Sequence, residues 1–145
     1  MIPLKEMQKV ELFVPLSEMM IEKLVSIGEV LEVPKGEVLF RQGDRADKYY
    51  ILKEGKVELT FRHPDGTVEI ESVEPGMGVG CSALAGLSTY QAEGVCEEPS
   101  RLLVWSQKQL RHLFNEDSRL GYLMVKASAR SLHKRKARTV HLGQK

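Results

Sequence analysis

The sequence predicts a mainly β protein, a β-roll or jelly-roll barrel of about eight short strands with helices at both ends. Three observations carry this. Residues 34–55 read PKGEVLFRQGDRADKYYILKEG, with two short apolar runs (residues 38–40 and 49–52) set between the turn signals Pro34-Lys35-Gly36, Gly43-Asp44 and Glu54-Gly55. Glycine supplies the positive φ that such tight turns need, so these are strands joined by turns. From Lys56 the apolar period is two, and toward both ends of the chain it changes to the helical spacing.

Taken in order, residues 4–13 read as a short helix with Leu4 and Met7 near one face. Ser17 is placed to cap a second helix over residues 18–27, whose Met20, Ile21, Leu24, Val25 and Ile27 form an apolar stripe ended by Gly28. In residues 56–62, Val57, Leu59 and Phe61 point one way while Glu58, Thr60 and Arg62 point the other. His63-Pro64-Asp65-Gly66 is a hairpin loop that returns the chain as a partner strand over residues 67–73. Pro75-Gly76, Gly78 and Gly80 make a loop region, and residues 91–96 and 101–105 are two further strands. Ser106 and Gln109 have capping-box spacing and open a helix with Leu110, Leu113 and Phe114 facing inward. Asp117 or Ser118 caps a last, longer helix expected to run to about Thr139. Residues 1–145 thus divide into N-terminal helices (1–28), the β-roll (29–106), and C-terminal helices with a basic tail (107–145).

The chain of 145 residues is 42% hydrophobic and 28% charged, enough for one buried core without staples. No apolar run approaches the roughly 20 residues that span a bilayer, so no membrane association is expected. The N-terminus carries charges inside its apolar pattern and does not read as a signal peptide. Cys81 and Cys96 are then expected as thiols in a reduced, cytoplasmic setting. The net charge of +1 hides an asymmetry: residues 118–145 hold eight Lys/Arg and no Asp/Glu, leaving an acidic body with a basic tail. The four histidines lack metal-ligand spacing and no Cys-x-x-Cys occurs, so no metal site is expected. No nucleophile–base constellation can be placed either, and no enzymatic activity is expected.

The runs Leu16-Ser17, Pro34-Lys35-Gly36-Glu37-Val38-Leu39-Phe40, Gln42-Gly43-Asp44, Tyr50-Ile51-Leu52, Glu54-Gly55-Lys56-Val57, Asp65-Gly66 and Pro75-Gly76-Met77 follow one another in order. In that order and spacing the chain resembles the cyclic nucleotide-binding domain family, the sensor of catabolite-activator and kinase regulatory-subunit type, from about Phe13 to Thr139. The resemblance implies an eight-stranded double-stranded β-helix with a long C-terminal helix and a phosphate-binding cassette between two strands. In the family a short helix after a Gly-Glu pair points its amides at the cyclic phosphate, the glutamate binds the ribose 2′-hydroxyl, and a downstream arginine pairs with the phosphate.

Here the cassette begins at Gly76 and Gly80 matches, but Cys81 stands at the glutamate position and Tyr90 or Gln91 at the arginine position. A phosphate-paired arginine makes charge-assisted bonds worth about 1.5–3 kcal/mol each, and the ribose acceptor adds roughly 1 kcal/mol. Losing both lowers affinity by about 10³, at tenfold per 1.4 kcal/mol. A cyclic nucleotide is therefore disfavoured, and no other cofactor is implied. The candidate ligand site is Gly80, Cys81, Ser82, Ala83, Leu84, Tyr90 and Gln91. The amides of Ser82, Ala83 and Leu84 could form an anion nest, or Ser82 could merely cap a helix. Tyr90 could contact a ligand or stand in the barrel wall. Cys81 is either a small plug in a vacated pocket or a thiol made acidic by the helix, hence a redox sensor.

The C-terminal helix carries an apolar stripe (Leu120, Leu123, Met124, Ala127, Leu132) and a basic end. Lys134, Arg135, Lys136 and Arg138 there suit the negative end of a helix dipole or an acidic partner. A helix-turn-helix would need about 50 further residues, so direct sequence-specific DNA reading is not expected. The expectation is a stand-alone regulatory sensor, a homodimer through its C-terminal helix, that binds a small nucleotide-like or anionic ligand. The alternatives are a ligand-free module docking an acidic protein through the basic helix, and a thiol-based redox sensor at Cys81.

Overall fold

The computed structural model describes residues 1–132 and 136–141, and among them nine strands build two antiparallel sheets. One sheet has the order β1 (Glu29–Val33), β8 (Ser100–Ser106), β3 (Lys48–Glu54), β6 (Gly78–Val79). The other runs β2 (Val38–Phe40), β7 (Glu93–Cys96), β4 (Val57–Arg62), β5 (Thr67–Val73), β9 (Lys136–His141). Buried residues of both sheets form a single cluster, with Tyr50, Leu52 and Leu102 from the first and Phe40, Val57, Leu59, Val73 and Cys96 from the second. The expected β-roll is present, with the alternation of β4 setting Val57 and Leu59 inward.

The helices cap this roll. Ser17 accepts the Met20 amide at 3.2 Å and opens α1 (Glu18–Ile27), whose apolar stripe rests on the core. Trp105, in β8, is 1% exposed and donates its indole N–H to Leu24 O at 2.9 Å, which fixes α1 to the barrel. Gly28 ends α1 for a reason other than left-handed capping, since its φ is −100°. A Cβ there would collide with Ile2 Cδ1 and lie 2.6 Å from Trp105 Nε1, so the helix end can reach the barrel only without a side chain. Ser106 accepts the Gln109 amide at 3.1 Å to open α3 (Gln107–Glu116). Asp117 accepts the Leu120 amide at 3.1 Å, receives Lys23 Nζ at 3.0 Å, and opens α4 (Ser118–Leu132). These partners hold the Asp117 carboxyl below its usual range, the backbone amide first.

Three expectations are corrected. The N-terminal helix is two 3-10 turns, Leu4–Met7 and Glu11–Phe13, broken at Lys9 with φ 63°. Met7, Val10, Leu12 and Phe13 are all buried while Leu4 is exposed, and one straight helix cannot turn that set to a single face. The loop region expected after Pro75 contains β6, where Tyr50 pairs with Val79. Its Gly78 leaves room for the Tyr49 hydroxyl, which a Cβ would strike.

The third correction concerns the last helix, which ends at Leu132 rather than near Thr139. Lys136 and Arg138 lie in β9, paired with β5 at Ser72 and Ile70, so these two basic residues do not continue a helix. The β-branched pair Thr139-Val140 suits a strand, and the open edge of β5 offers a row of backbone partners. The dipole argument therefore does not apply to Arg138, whose Nη2 sits 3.9 Å from Glu58 Oε2. Lys134 and Arg135 lie outside the described residues.

Candidate functional site

The cassette region folds as a single turn of helix, α2 (Cys81–Leu84), entered through Gly80 in the left-handed region (φ 78°, ψ 41°). A Cβ on Gly80 would stand 3.1 Å from Lys48 O and 3.2 Å from the Tyr90 ring, so glycine is required there by conformation and by space. Of the expected nest amides, Ala83 N–H donates to Gly80 O at 3.0 Å inside the turn. A turn of four residues also sums few peptide dipoles, so any field it casts on an anion or on the Cys81 thiol is small.

Tyr90 belongs to the barrel wall. Its ring stacks on Phe40 with centroids 4.0 Å apart and planes at 14°, and Phe40 in turn neighbours Tyr50 at 6.1 Å. Its hydroxyl donates to Lys48 O at 2.6 Å and accepts Lys48 N–H at 3.0 Å. With both functions of the hydroxyl engaged and the ring 3% exposed, Tyr90 shapes the site without offering it a polar group. Burial pushes its phenol up to about 12. Gln91, by contrast, is exposed, and its amide donates to Thr89 O at 3.1 Å.

Beside α2 lies a pocket of about 320 Å³. Gly80, Cys81, Ser82, Tyr90 and Gln91 line it, whereas Ala83 and Leu84 are buried in the core behind it. Further lining comes from Phe40, Leu59, Phe61 and Ala92, from Glu71 of β5, and from Leu132 at the end of α4. Among these lining residues the charged one is a carboxylate, and none carries a guanidinium or ammonium group. Sequence reasoning missed Glu71, which strand alternation could have found: counting back two from Val73 puts it on the core face, opposite Leu59. Leu132 was legible only as part of a helical stripe, and its position over the pocket follows from where α4 stops. No disulfide links Cys81 to Cys96. Cys96 is fully buried in β7, and burial raises its thiol pKa. Among the described residues no group of His, Cys, Asp or Glu could hold a metal ion.

With this geometry in place, residues 30–117 match the cyclic nucleotide-binding domain family. The chain belongs to the cyclic nucleotide-binding domain family. A solved structure assigned to the cyclic nucleotide-binding proteins of Geobacter metallireducens superposes with a TM-score of 0.81 at 25% identity, covering 92% of this chain and 98% of that one. The sensor domain of the transcriptional regulator DNR from Pseudomonas aeruginosa gives 0.68 at 26%, covering 90% and 89%. In sequence, a cGMP-dependent protein kinase of Drosophila melanogaster is 32% identical over 96 residues, which is 63% of this chain and 10% of the kinase. The chain thus spans a small part of that curated relative. The two solved structures share the two-sheet roll described above. No helix among the described residues is long and apolar enough to cross a membrane.

Proposed function

We propose that this domain is a regulatory sensor whose barrel pocket takes a small, largely apolar ligand lacking a phosphate, and which signals through α4. The observation that carries the reading is the lining of the pocket. Phe40, Leu59, Phe61, Tyr90 and Ala92 form its wall, Glu71 is its charged group, and Leu132 of α4 closes it. A guest there touches barrel and helix at once. If its affinity differs between two positions of α4, occupancy shifts the helix. A pocket of a few hundred Å³ is of the size that encloses small ligands.

Cyclic nucleotides are weak guests on this reading, because Cys81 stands in place of the acid that would hold ribose, and Tyr90 or Gln91 in place of the guanidinium that would hold phosphate. Calorimetric titration with cyclic AMP and cyclic GMP tests it. The natural chain should bind either at roughly millimolar strength, and Cys81→Glu with Gln91→Arg should tighten binding at least about tenfold, the equivalent of 1.4 kcal/mol. Micromolar binding by the unaltered chain would overturn the reading.

The partner we propose for signalling is a second copy of the domain. On α4, Tyr122, Val125, Ala129 and Leu132 are exposed, and the first, second and fourth of these are 60%, 44% and 46% accessible. Their spacing of three, four and three residues is that of a coiled-coil seam.

A further inference from the structure

α4 presents a third face, separate from its core side and its apolar seam. Lys126, Arg130, Leu123 and Ala127 lie about a third of a turn around from the seam, at 3.6 residues per turn. They form one wall of a groove of about 620 Å³. The opposite wall is the N-terminal segment from Lys9 to Pro15 together with Pro75, Gly76 and Met77 of the loop before β6. Leu12, 3% exposed, floors it, and Val14, 79% exposed, stands at its rim. The groove shares no lining residue with the barrel pocket.

From this geometry we infer that the groove is a docking site for an acidic, amphipathic segment of a partner protein. Charge selects the occupant. Lys9, Lys126 and Arg130 line the groove with Glu11 as its described carboxylate, and α4 itself contains no acidic residue. Lys126 lies 5.5 Å from the Tyr122 ring centroid, and neither it nor Arg130 meets a carboxylate within ion-pair distance among the described residues. Between these cations runs apolar surface from Leu12, Pro15, Met77 and Leu123, so the complementary ligand is apolar on one face and negative at its edges. The concave shape favours a chain segment over a flat lipid surface. The groove's helix face is offset by about a third of a turn from the proposed seam, so the two surfaces use different residues of α4. Lys9 adds a further sign, being the non-glycine residue with a left-handed backbone among the described residues. A non-glycine residue is held in that region only when its surroundings over-determine it, as at binding sites.

The test is selection of a random peptide display library on the full chain, followed by fluorescence anisotropy of the enriched peptides. Enrichment of peptides rich in Asp or Glu among apolar residues is expected, with affinity falling as salt rises. Lys126→Glu with Arg130→Glu should weaken binding at least about tenfold, in the range reported for close interfacial charge pairs. Lys108→Glu, on α3 and outside the groove, should leave binding unchanged, and matched circular dichroism spectra will show that both variants fold. Peptides without acidic bias, equal binding to the double variant, or no enrichment overturns the proposal. Phosphatidylglycerol vesicles bound through Lys126 and Arg130 would instead assign the groove to a membrane surface. A dimer lost in the double variant would assign it to a second copy.

Discussion

Tyr90 accepts from the amide and donates to the carbonyl of a single residue, Lys48. It pins the start of β3 to the cassette region while its ring fills the space beside Phe40. That arrangement has a signature in pH. Burial raises the Tyr90 phenol from 10.0 to about 12, and burial raises Tyr50 as well. Both remain neutral in the fold at pH values where tyrosines of the unfolded chain ionise. The unfolded state therefore sheds protons first, so the stability these phenols contribute is full below pH 10 and falls as pH rises from 10 toward 12. Urea unfolding across that interval should show a falling midpoint, and Tyr90→Phe should flatten the fall while lowering stability at neutral pH. An alkaline limb of unchanged steepness in Tyr90→Phe would show that another group titrates. At this scale the sequence named Tyr90 as a barrel-wall aromatic or a ligand contact. Only the hydrogen bonds to Lys48, a residue 42 positions away, show how the barrel holds it.

Helix starts were readable because capping is local: Ser17, Ser106 and Asp117 each sit within three residues of the amide they accept. The end of α4 was not, because strand pairing across 64 residues or more competes there with local helix propensity. β9 completes its sheet by covering β5, whose residues Thr67 to Ser72 each have a partner in it. Deleting residues 133–145 should bare that edge. Hydrogen exchange should then quicken at the β5 amides that face β9, with the β5 amides directed at β4 keeping their protection. Equal acceleration on both sides would mean that the last strand supports the whole sheet rather than its edge. The truncated chain should also associate more readily, because an uncovered strand is a template for pairing.

For the whole molecule, α4 has three jobs distributed around one helix. Leu120 and Met124 are fully buried in the core, Tyr122, Val125, Ala129 and Leu132 form the seam, and Lys126 and Arg130 border the groove. Because Leu132 belongs both to the seam and to the barrel pocket, ligand binding and association are coupled on this reading, and each should change the other's affinity by the same factor. Val125→Asp with Leu132→Asp should convert a dimer into a monomer in sedimentation velocity with the roll intact. A natural chain that stays monomeric at high concentration would remove the seam from the account.

The sequence alone determined the β-roll, its hairpin, its capped helices and the family, since these depend on period, turn chemistry and spacing along the chain. It also placed Cys81 where the family has an acid, and Tyr90 or Gln91 where it has a guanidinium, which bears on the ligand. Tertiary structure alone decided that Leu132 and Glu71 share a pocket, that Lys136 and Arg138 belong to a strand, and that a cationic groove flanks α4. Each of these brings together side chains far apart in the chain. Such meetings depend on where elements stop and pack, which local propensity does not encode.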